Sequence, residues 1–294
     1  MFHKNRVRTY LVVMGITLAA PTVGQGQTDY YNTGSGRPIR VEDAHPVERF
    51  ALEIGFAPLS IERSSGGLWR TTVEPGIAYG ILPRTDFEIS VPLVLRGGAG
   101  RENRGGLAGL DLGFLHNLNT ETLRAPAFAI TGGMLLPVGD EAPEDFLSSI
   151  GGIVTRSFLP GRLHLNANYT FALNAGAAGL RELSGEHSRW FVGAGVDHAF
   201  PLRSMMLVGD VFVERLLRPE SAPELPLRWT AETGVRYQLD PHFTLDTGVG
   251  RRLNGEDQAW FFTAGLARVL GVRSLMPPSR VRAGTTQLEK ARVE

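Results

Sequence analysis

Apolar and polar residues alternate along most of the chain between Arg49 and Leu270. In the clearest stretch, residues 163–173, the odd-numbered positions are Leu, Ala, Tyr and Phe, whereas the even-numbered positions are mainly His, Asn and Thr. A period of two is the period of a β-strand whose two faces meet different surroundings. Gly and Pro are too frequent for long helices. The sequence therefore predicts an all-β protein.

The pattern predicts twelve strands with connections that are alternately long and short. Long polar connections are expected at 61–67, 97–106, 138–148, 174–188, 216–226 and 254–258. An even strand number with short periplasmic turns and long extracellular loops is typical of an antiparallel up-and-down transmembrane β-barrel. The strands are predicted at 49–60, 69–80, 86–96, 107–118, 127–137, 149–158, 162–173, 189–200, 204–215, 227–239, 243–253 and 259–270.

The aromatic residues favour a membrane barrel over a soluble one. All four tryptophans fall at the outer ends of strands that run towards the periplasm, and other aromatic residues fall near the opposite ends. Ten residues of tilted strand cover about 25 Å, the height of the apolar band of a membrane barrel. The predicted aromatic belts contain Trp69, Tyr79, Trp190, Phe200, Trp229, Tyr237 and Trp260.

The other face of the strands carries charged residues and glycines. Charges on a lipid-facing surface are unfavourable by a few kcal/mol each, so these side chains must point into the lumen. Small inward glycines leave room for long charged side chains to pair. The charges then form either a structural network that fills the barrel or a charged constriction. The predicted lumen-lining residues are Arg70, Glu74, Glu88, Asp111, Arg228, Glu232, Arg236 and Asp246.

The two ends of the chain differ from the middle. Residues 1–24 have a basic start, a short apolar stretch and small residues at the cleavage positions, which predicts a signal peptide. Residues 25–48 are polar and turn-rich, and we assign them to the periplasm, with a partial plug in the lumen as the alternative. The barrel then spans 49–270. Residues 271–294 form a periplasmic tail, either simply solvated or an interaction segment for an acidic partner.

Composition excludes several classes of function. The chain has 30 basic and 30 acidic residues, so it lacks the basic footprint of a nucleic-acid-binding protein. It has no cysteine, which excludes disulfides, thiolate metal sites and cysteine nucleophiles. The histidines have no metal-site spacing, and we expect neither a metal nor a cofactor. His187 and Ser188 would point to opposite faces of a strand, so they do not predict a hydrolase.

Several short motifs stand out along the chain: Asn32–Ile39, Val41–Pro46, Tyr79–Glu88, Val91–Leu93, Gly109–Gly113 with Asp111 at its centre, and Leu163–Phe171. They resemble a known family of outer-membrane porins, named after the meta-pathway of phenol degradation. The resemblance covers about 240 residues. It implies a barrel of roughly twelve strands that passes small solutes, among them small hydrophobic or aromatic molecules. It implies no catalytic residues.

The sequence thus predicts a non-enzymatic channel in the outer membrane of a Gram-negative bacterium, with passive passage of small solutes. Its expected partners are outer-membrane lipid, a small-molecule solute and the outer-membrane assembly machinery. Two alternatives remain. One is a structural or adhesion barrel with a filled lumen, and the other is a membrane-embedded enzyme that acts on lipids. A lumen only twelve strands wide is narrow and easily blocked.

Overall fold

The computed structural model of the protein describes residues 33–34, 37–64, 66–98, 100–143, 146–159, 161–173, 188–200, 203–216, 226–255 and 258–272. No helix within these ranges is long and apolar enough to cross a membrane. The strands are β1 (Ala51–Arg63), β2 (Leu68–Leu82), β3 (Thr85–Ser90), β4 (Leu93–Gly98), β5 (Arg101–Leu107), β6 (Leu110–Asn117), β7 (Ala127–Leu136), β8 (Phe146–Phe158), β9 (Gly161–Leu173), β10 (Arg189–Phe200), β11 (Met205–Leu216), β12 (Arg228–Asp240), β13 (Phe243–Arg252) and β14 (Trp260–Gly271).

The sheet closes into a ring because β1 pairs antiparallel with both β2 and β14. Both β3 and β4 pair with β2, so they are one barrel strand, interrupted where Pro92 lacks a backbone N–H. In the same way β5 and β6 pair with β4 and β3, and are interrupted at Gly109, whose φ is 135°. The closed barrel therefore has twelve strands, and the predicted fold class is confirmed.

One end of the barrel carries the short connections, including 83–84 and 241–242, and we call it the turn end. At the opposite end, the loop end, β7, β9 and β11 finish and β8, β10 and β12 begin. The prediction of a long loop over 97–106 is wrong, because β4 and β5 extend through most of this range. Gly98 and Gly100 have φ values of 96° and 76°, which glycine adopts without strain and which allow a tight reversal.

The outer wall of the barrel is apolar. Side chains such as Phe56, Ile150 and Val196 are 50%, 63% and 57% exposed on this surface. The buried polar residues of the same strands, for example Asp197 and Asp210, face the interior. In a soluble barrel the apolar side chains point inward, whereas here they form the outer surface. This surface is suited to contact with the lipid of a membrane.

Residues 33–34 and 37–48, which we call the luminal segment, lie inside the ring. Ile39, Val41 and Ala44 have no exposed surface, although no strand contains them. The assignment of 25–48 to the periplasm is therefore wrong for these residues, and the alternative of a plug describes them. The physical reason is that side chains of the inner wall supply hydrogen-bond acceptors for the segment's backbone. Residues 1–32 and 273–294, with the predicted signal peptide and nearly all of the tail, lie outside the described residues.

Candidate functional site: the luminal segment and the inner wall

The luminal segment follows the inner wall around the barrel. When the chain is read backwards from Val47 to Arg37, its contacts advance from β3 through β6, β8, β9, β11, β12 and β14 to β1. The course then closes on itself, since Asp43 N–H donates to the carbonyl of Thr33 at 3.2 Å, and Thr33 N–H donates to the Asp43 carboxylate at 3.2 Å. The segment thus forms a closed loop within the lumen.

Inward carboxylates accept the backbone N–H groups of the segment. Glu232 accepts from Arg40 at 2.6 Å, Asp210 from Val41 at 2.9 Å, and Asp86 from Val47 at 2.7 Å. An irregular segment buried without a strand partner needs such acceptors, because an unpaired buried N–H group is unfavourable by about 1–3 kcal/mol. The charges of the inner wall therefore serve the segment's backbone as well as one another.

Amide and hydroxyl side chains complete this backbone pairing. Asn166 receives the N–H of Glu42 at 2.8 Å and donates to the carbonyl of the same residue at 2.8 Å. Asn117 donates to the carbonyl of Ala44 at 2.7 Å, and Thr263 donates to the carbonyl of Pro38 at 2.9 Å. Asparagine presents a donor and an acceptor together, so Asn166 pairs with the segment much as a neighbouring strand would.

Two ion pairs fix the segment at opposite sides of the ring. Arg37 pairs with Glu53 of β1, and Asp43 pairs with Arg162 of β9 at 3.1 Å. Burial opposes ionisation of Asp43, but the hydrogen bond with His45 and the charge of Arg162 outweigh it, so the pKa of Asp43 is lowered. Asp43 is therefore a buried, ionised anchor.

The inner wall packs closely against the segment through apolar side chains and through glycines that leave space for it. Ile39 packs with Met206 and Val208, and Val41 packs with Phe191 and Phe212. Cβ atoms built on two pairs of wall glycines, Gly193 with Gly195 and Gly234 with Gly248, would lie 2.5–3.1 Å from Val41 or Pro38. These glycines therefore make room for the segment rather than for the paired charges that the sequence suggested.

Three polar side chains behind Ala44 resemble a hydrolytic triad. Thr155 Oγ1 lies 3.0 Å from His164 Nδ1, and His164 Nε2 lies 2.9 Å from Asp197. However, Thr155 and His164 are fully buried, and Thr155 accepts the N–H of Ala44 at 2.9 Å. A nucleophile must reach its substrate, so in this arrangement the three residues hold the segment in place.

The predicted lumen residues divide into two groups. Glu232, Arg236, Asp246 and Glu88 surround the segment. Arg236 pairs with Asp246 at 2.6 Å and donates to the carbonyl of Arg37 at 2.9 Å. Glu88 is close enough to Arg37 for its negative charge to favour the charged form of the arginine.

The other four predicted lumen residues lie on strand halves nearer the loop end. Arg228 pairs with Glu214 at 3.4 Å, and Glu74 accepts from the Ser90 hydroxyl at 2.6 Å. Arg70 stands opposite Glu62 and Arg96 in the strand ladder. Asp111 stands opposite Ser90. The structure thus does not bring all eight residues together into one constriction.

The residues of the predicted aromatic belts lie towards the ends of their strands. Each tryptophan is the first or second residue of its strand at the loop end, and Trp229 and Trp260 are more than two-fifths exposed. The turn-end members lie within the last four residues of β2, β10 and β12. They are Tyr79, Phe200 and Tyr237.

Sequence reasoning missed the inward apolar residues. Phe191, Met206, Val208 and Phe212 occupy positions of the lumen-facing parity, where a water-filled channel would carry polar side chains. An aromatic or branched residue in the charged row of a predicted membrane strand is the signal that could have revealed an apolar occupant of the lumen.

No family model and no curated protein sequence matches this chain. Solved structures resemble it in fold. An outer-membrane channel from Pseudomonas putida F1 has a TM-score of 0.58 at 9% identity, covering 78% of this chain and 98% of that one. The translocator domain of the autotransporter NalP from Neisseria meningitidis gives 0.49 at 12% identity, covering 75% and 89%. The NanC porin gives 0.47 at 10%, covering 74% and 98%. The likeness shows an outer-membrane barrel fold.

Proposed function

We propose that this protein is an outer-membrane channel for small solutes in which the luminal segment is the closing element. The supporting observation is the pairing of the segment's backbone with side chains from strands all around the ring. A twelve-stranded lumen is intermediate between barrels that side chains fill and barrels that hold an open aqueous channel. One extended segment is therefore enough to block it, and solutes pass when the segment moves.

The proposed setting follows from the fold and the sequence together. The turn end faces the periplasm, the loop end faces the outside, and the aromatic belts contact the two headgroup regions. Passage is passive, and the protein is not an enzyme. The resemblance to the porin family named after phenol degradation supports small hydrophobic or aromatic solutes as one class of cargo.

A structural barrel with a permanently filled lumen is the second candidate. The fully buried side chains of Ile39 and Val41 favour this candidate, because their apolar burial holds the segment in place in addition to its hydrogen bonds. The two candidates differ in one respect, which is whether the segment leaves its place while the barrel remains folded.

Single-channel recording of the mature protein in a planar bilayer tests the proposal. The variant Val41→Asp places a carboxylate against Phe191 and Phe212, close to Asp210, and loosens the segment. We expect rare openings from the wild type and frequent, longer openings from the variant. Val138→Asp, at an exposed position in the connection before β8, is the matched control. Silence from all three proteins, shown to be folded by heat-modifiable gel mobility, would favour the structural barrel.

A further inference from the structure

Two arginines flank Trp260 on the outer wall at the loop end of the barrel. Arg63, the last residue of β1, stands directly opposite Trp260 of β14 on one side and Trp69 of β2 on the other. Arg251 of β13 stands opposite Trp260 on its second side. Arginine and tryptophan therefore alternate across four adjacent strands, at one height on the barrel. We call these four residues the arginine–tryptophan row.

Both arginines point out of the barrel, away from its acidic lining. Side chains alternate between the two faces of a strand, so Arg63 shares the outward face of Ile61, and Arg251 that of Val249. Arg251 lies 5.1 Å from the centre of the Trp260 ring, which is 57% exposed. The acidic residues that the structure describes in these four strands all have partners on the inner wall. They are Glu53, Glu62, Glu74 and Asp246.

The two guanidinium groups have N–H donors that protein acceptors do not use. Arg251 donates to the side-chain oxygen of Gln258 at 3.2 Å, which occupies one of its five N–H groups. Within the part of the chain that the structure describes, no residue forms a hydrogen bond or an ion pair with Arg63. Both side chains are exposed. The row thus offers two positive charges to the headgroup region of the membrane, where tryptophans also settle.

The next outward residues towards the middle of the wall are apolar. Ile61 stands opposite Phe262, and Phe262 stands opposite Val249 on its other side. Val249, Ile61 and Phe262 are 40%, 45% and 47% exposed. They lie two residues along the strands from the row, which is about 7 Å. Cations at the headgroup level and hydrocarbon directly beside them match a molecule with an anionic head and an acyl chain.

The chemistry of the guanidinium group selects a phosphate as the anionic head. Guanidinium groups bind phosphates through paired, charge-assisted hydrogen bonds, which are stronger than neutral ones. Two strand spacings separate Arg63 from Arg251, so their Cα atoms are about 10 Å apart. Two long side chains at this separation can contact one headgroup, with the face of Trp260 between them.

We propose that the arginine–tryptophan row binds the phosphorylated headgroup of an outer-leaflet lipid, with an acyl chain along Ile61, Phe262 and Val249. The bound lipid bridges β13, β14, β1 and β2, and so it covers the seam where the first and last strands close the ring. A ligand that binds only the folded barrel stabilises it. The choice of leaflet rests on the orientation given with the proposed function, but the site needs no conductance.

Native mass spectrometry of the mature protein in detergent tests the site. The probe is diphosphoryl lipid A, whose headgroup carries two phosphate groups. We expect saturable binding to the wild type, weakened about tenfold or more in Arg63→Gln/Arg251→Gln, because charge-assisted hydrogen bonds are lost. Arg268→Gln is the matched control, since it removes an exposed arginine from the outward face of β14 at the turn end. It should bind the lipid as the wild type does.

A second comparison uses the wild type alone and covers the case in which the double variant fails to fold. Monophosphoryl lipid A has one phosphate group fewer and should bind more weakly than the diphosphoryl lipid. Inorganic phosphate should not displace the bound lipid, because it makes no contact with the apolar residues beside the row. Equal binding of the two lipids, equal binding by the wild type and the double variant, or displacement by inorganic phosphate would overturn the proposal. A barrel that binds the lipid as expected but never conducts would overturn the channel and leave this site standing.

Discussion

The Asp210 carboxylate accepts the backbone N–H of Val41 at 2.9 Å, across 169 residues of sequence. This bond joins a wall strand to the luminal segment at a residue that also packs on the wall, since Val41 contacts Phe191 and Phe212. A bond between a charged acceptor and a buried backbone donor contributes about 1.5–3 kcal/mol. It is therefore large enough to shift a two-state equilibrium of the segment by tenfold or more.

Replacing Asp210 by alanine should release the segment. The substitution leaves the N–H of Val41 buried without an acceptor, which destabilises the seated state by about 1–3 kcal/mol. Tryptic cleavage after Arg40 should become roughly tenfold faster or more, while heat-modifiable mobility stays unchanged. Asp140→Ala, in the exposed connection before β8, is the control. Equal cleavage rates in the two variants would show that Asp210 does not hold the segment.

Neutralising Glu74 and Glu232 together should change ion selectivity. Both carboxylates are on the inner wall, and Glu232 becomes uncovered when Arg40 moves away from it. We expect a weak cation preference in the wild type and a shift towards anions in the double variant Glu74→Gln/Glu232→Gln. The measurement is the reversal potential in a KCl gradient. Asp240→Asn, at an exposed turn-end position outside the luminal segment, should not shift it, and an unchanged potential in the double variant would contradict a role in selectivity.

Acid should loosen the segment only well below neutral pH. The pKa of Asp43 is lowered despite burial, because His45 and Arg162 favour its ionised form, with His164 nearby. Because the pKa of Asp43 is lower in the folded protein, the ionised carboxylate stabilises the seated segment at any pH above the ordinary aspartate pKa of about 4. This stabilisation is lost as the pH falls through the pKa of Asp43 in the folded protein. We expect openings in bilayer recordings to be unaffected by this group down to about pH 5 and to rise at lower pH.

A comparison with Asp43→Asn isolates this group from the other carboxylates. The variant cannot form the charged pair with Arg162, so its openings should already be frequent at pH 7 and should lack the wild type's acid-dependent rise. An identical pH dependence in both proteins would mean that Asp43 is not the anchor.

Fluorescence quenching should place all four tryptophans at the same depth in the bilayer. Trp69, Trp190, Trp229 and Trp260 all lie at the loop end of their strands. In vesicles that contain lipids brominated at defined positions, quenching should be strongest for bromines near the headgroups and weak at the bilayer centre. Strong quenching from the centre would place these residues outside an interfacial belt.

The barrel could be predicted from the sequence because the period-two pattern and the turn residues are local properties. The same parity that marks Leu165 as outward marks Asn166 as inward, and both are so in the structure. The split at Pro92 could not be located, because β3 and β4 are parts of one continuous alternation.

The course of the luminal segment depends on contacts that no local pattern reports. Thr263 binds the carbonyl of Pro38 across 225 residues, and the fit of Val41 against Gly195 depends on a wall that exists only once the ring has closed. Sequence reasoning therefore explained the inward charges by their mutual pairing. Only the structure shows that these carboxylates also accept hydrogen bonds from the backbone of the luminal segment.

A reversible disulfide between the segment and the wall tests the closing role most directly. The chain has no cysteine, and a Cβ built on Gly195 lies 3.1 Å from that of Val41, slightly closer than in a disulfide, so a small shift suffices. In Val41→Cys/Gly195→Cys, single-channel openings should disappear under oxidation and return on reduction, while each single variant is indifferent to redox state. Openings of unchanged size and frequency in the oxidised protein would contradict the account, because solutes would then pass without movement of the luminal segment.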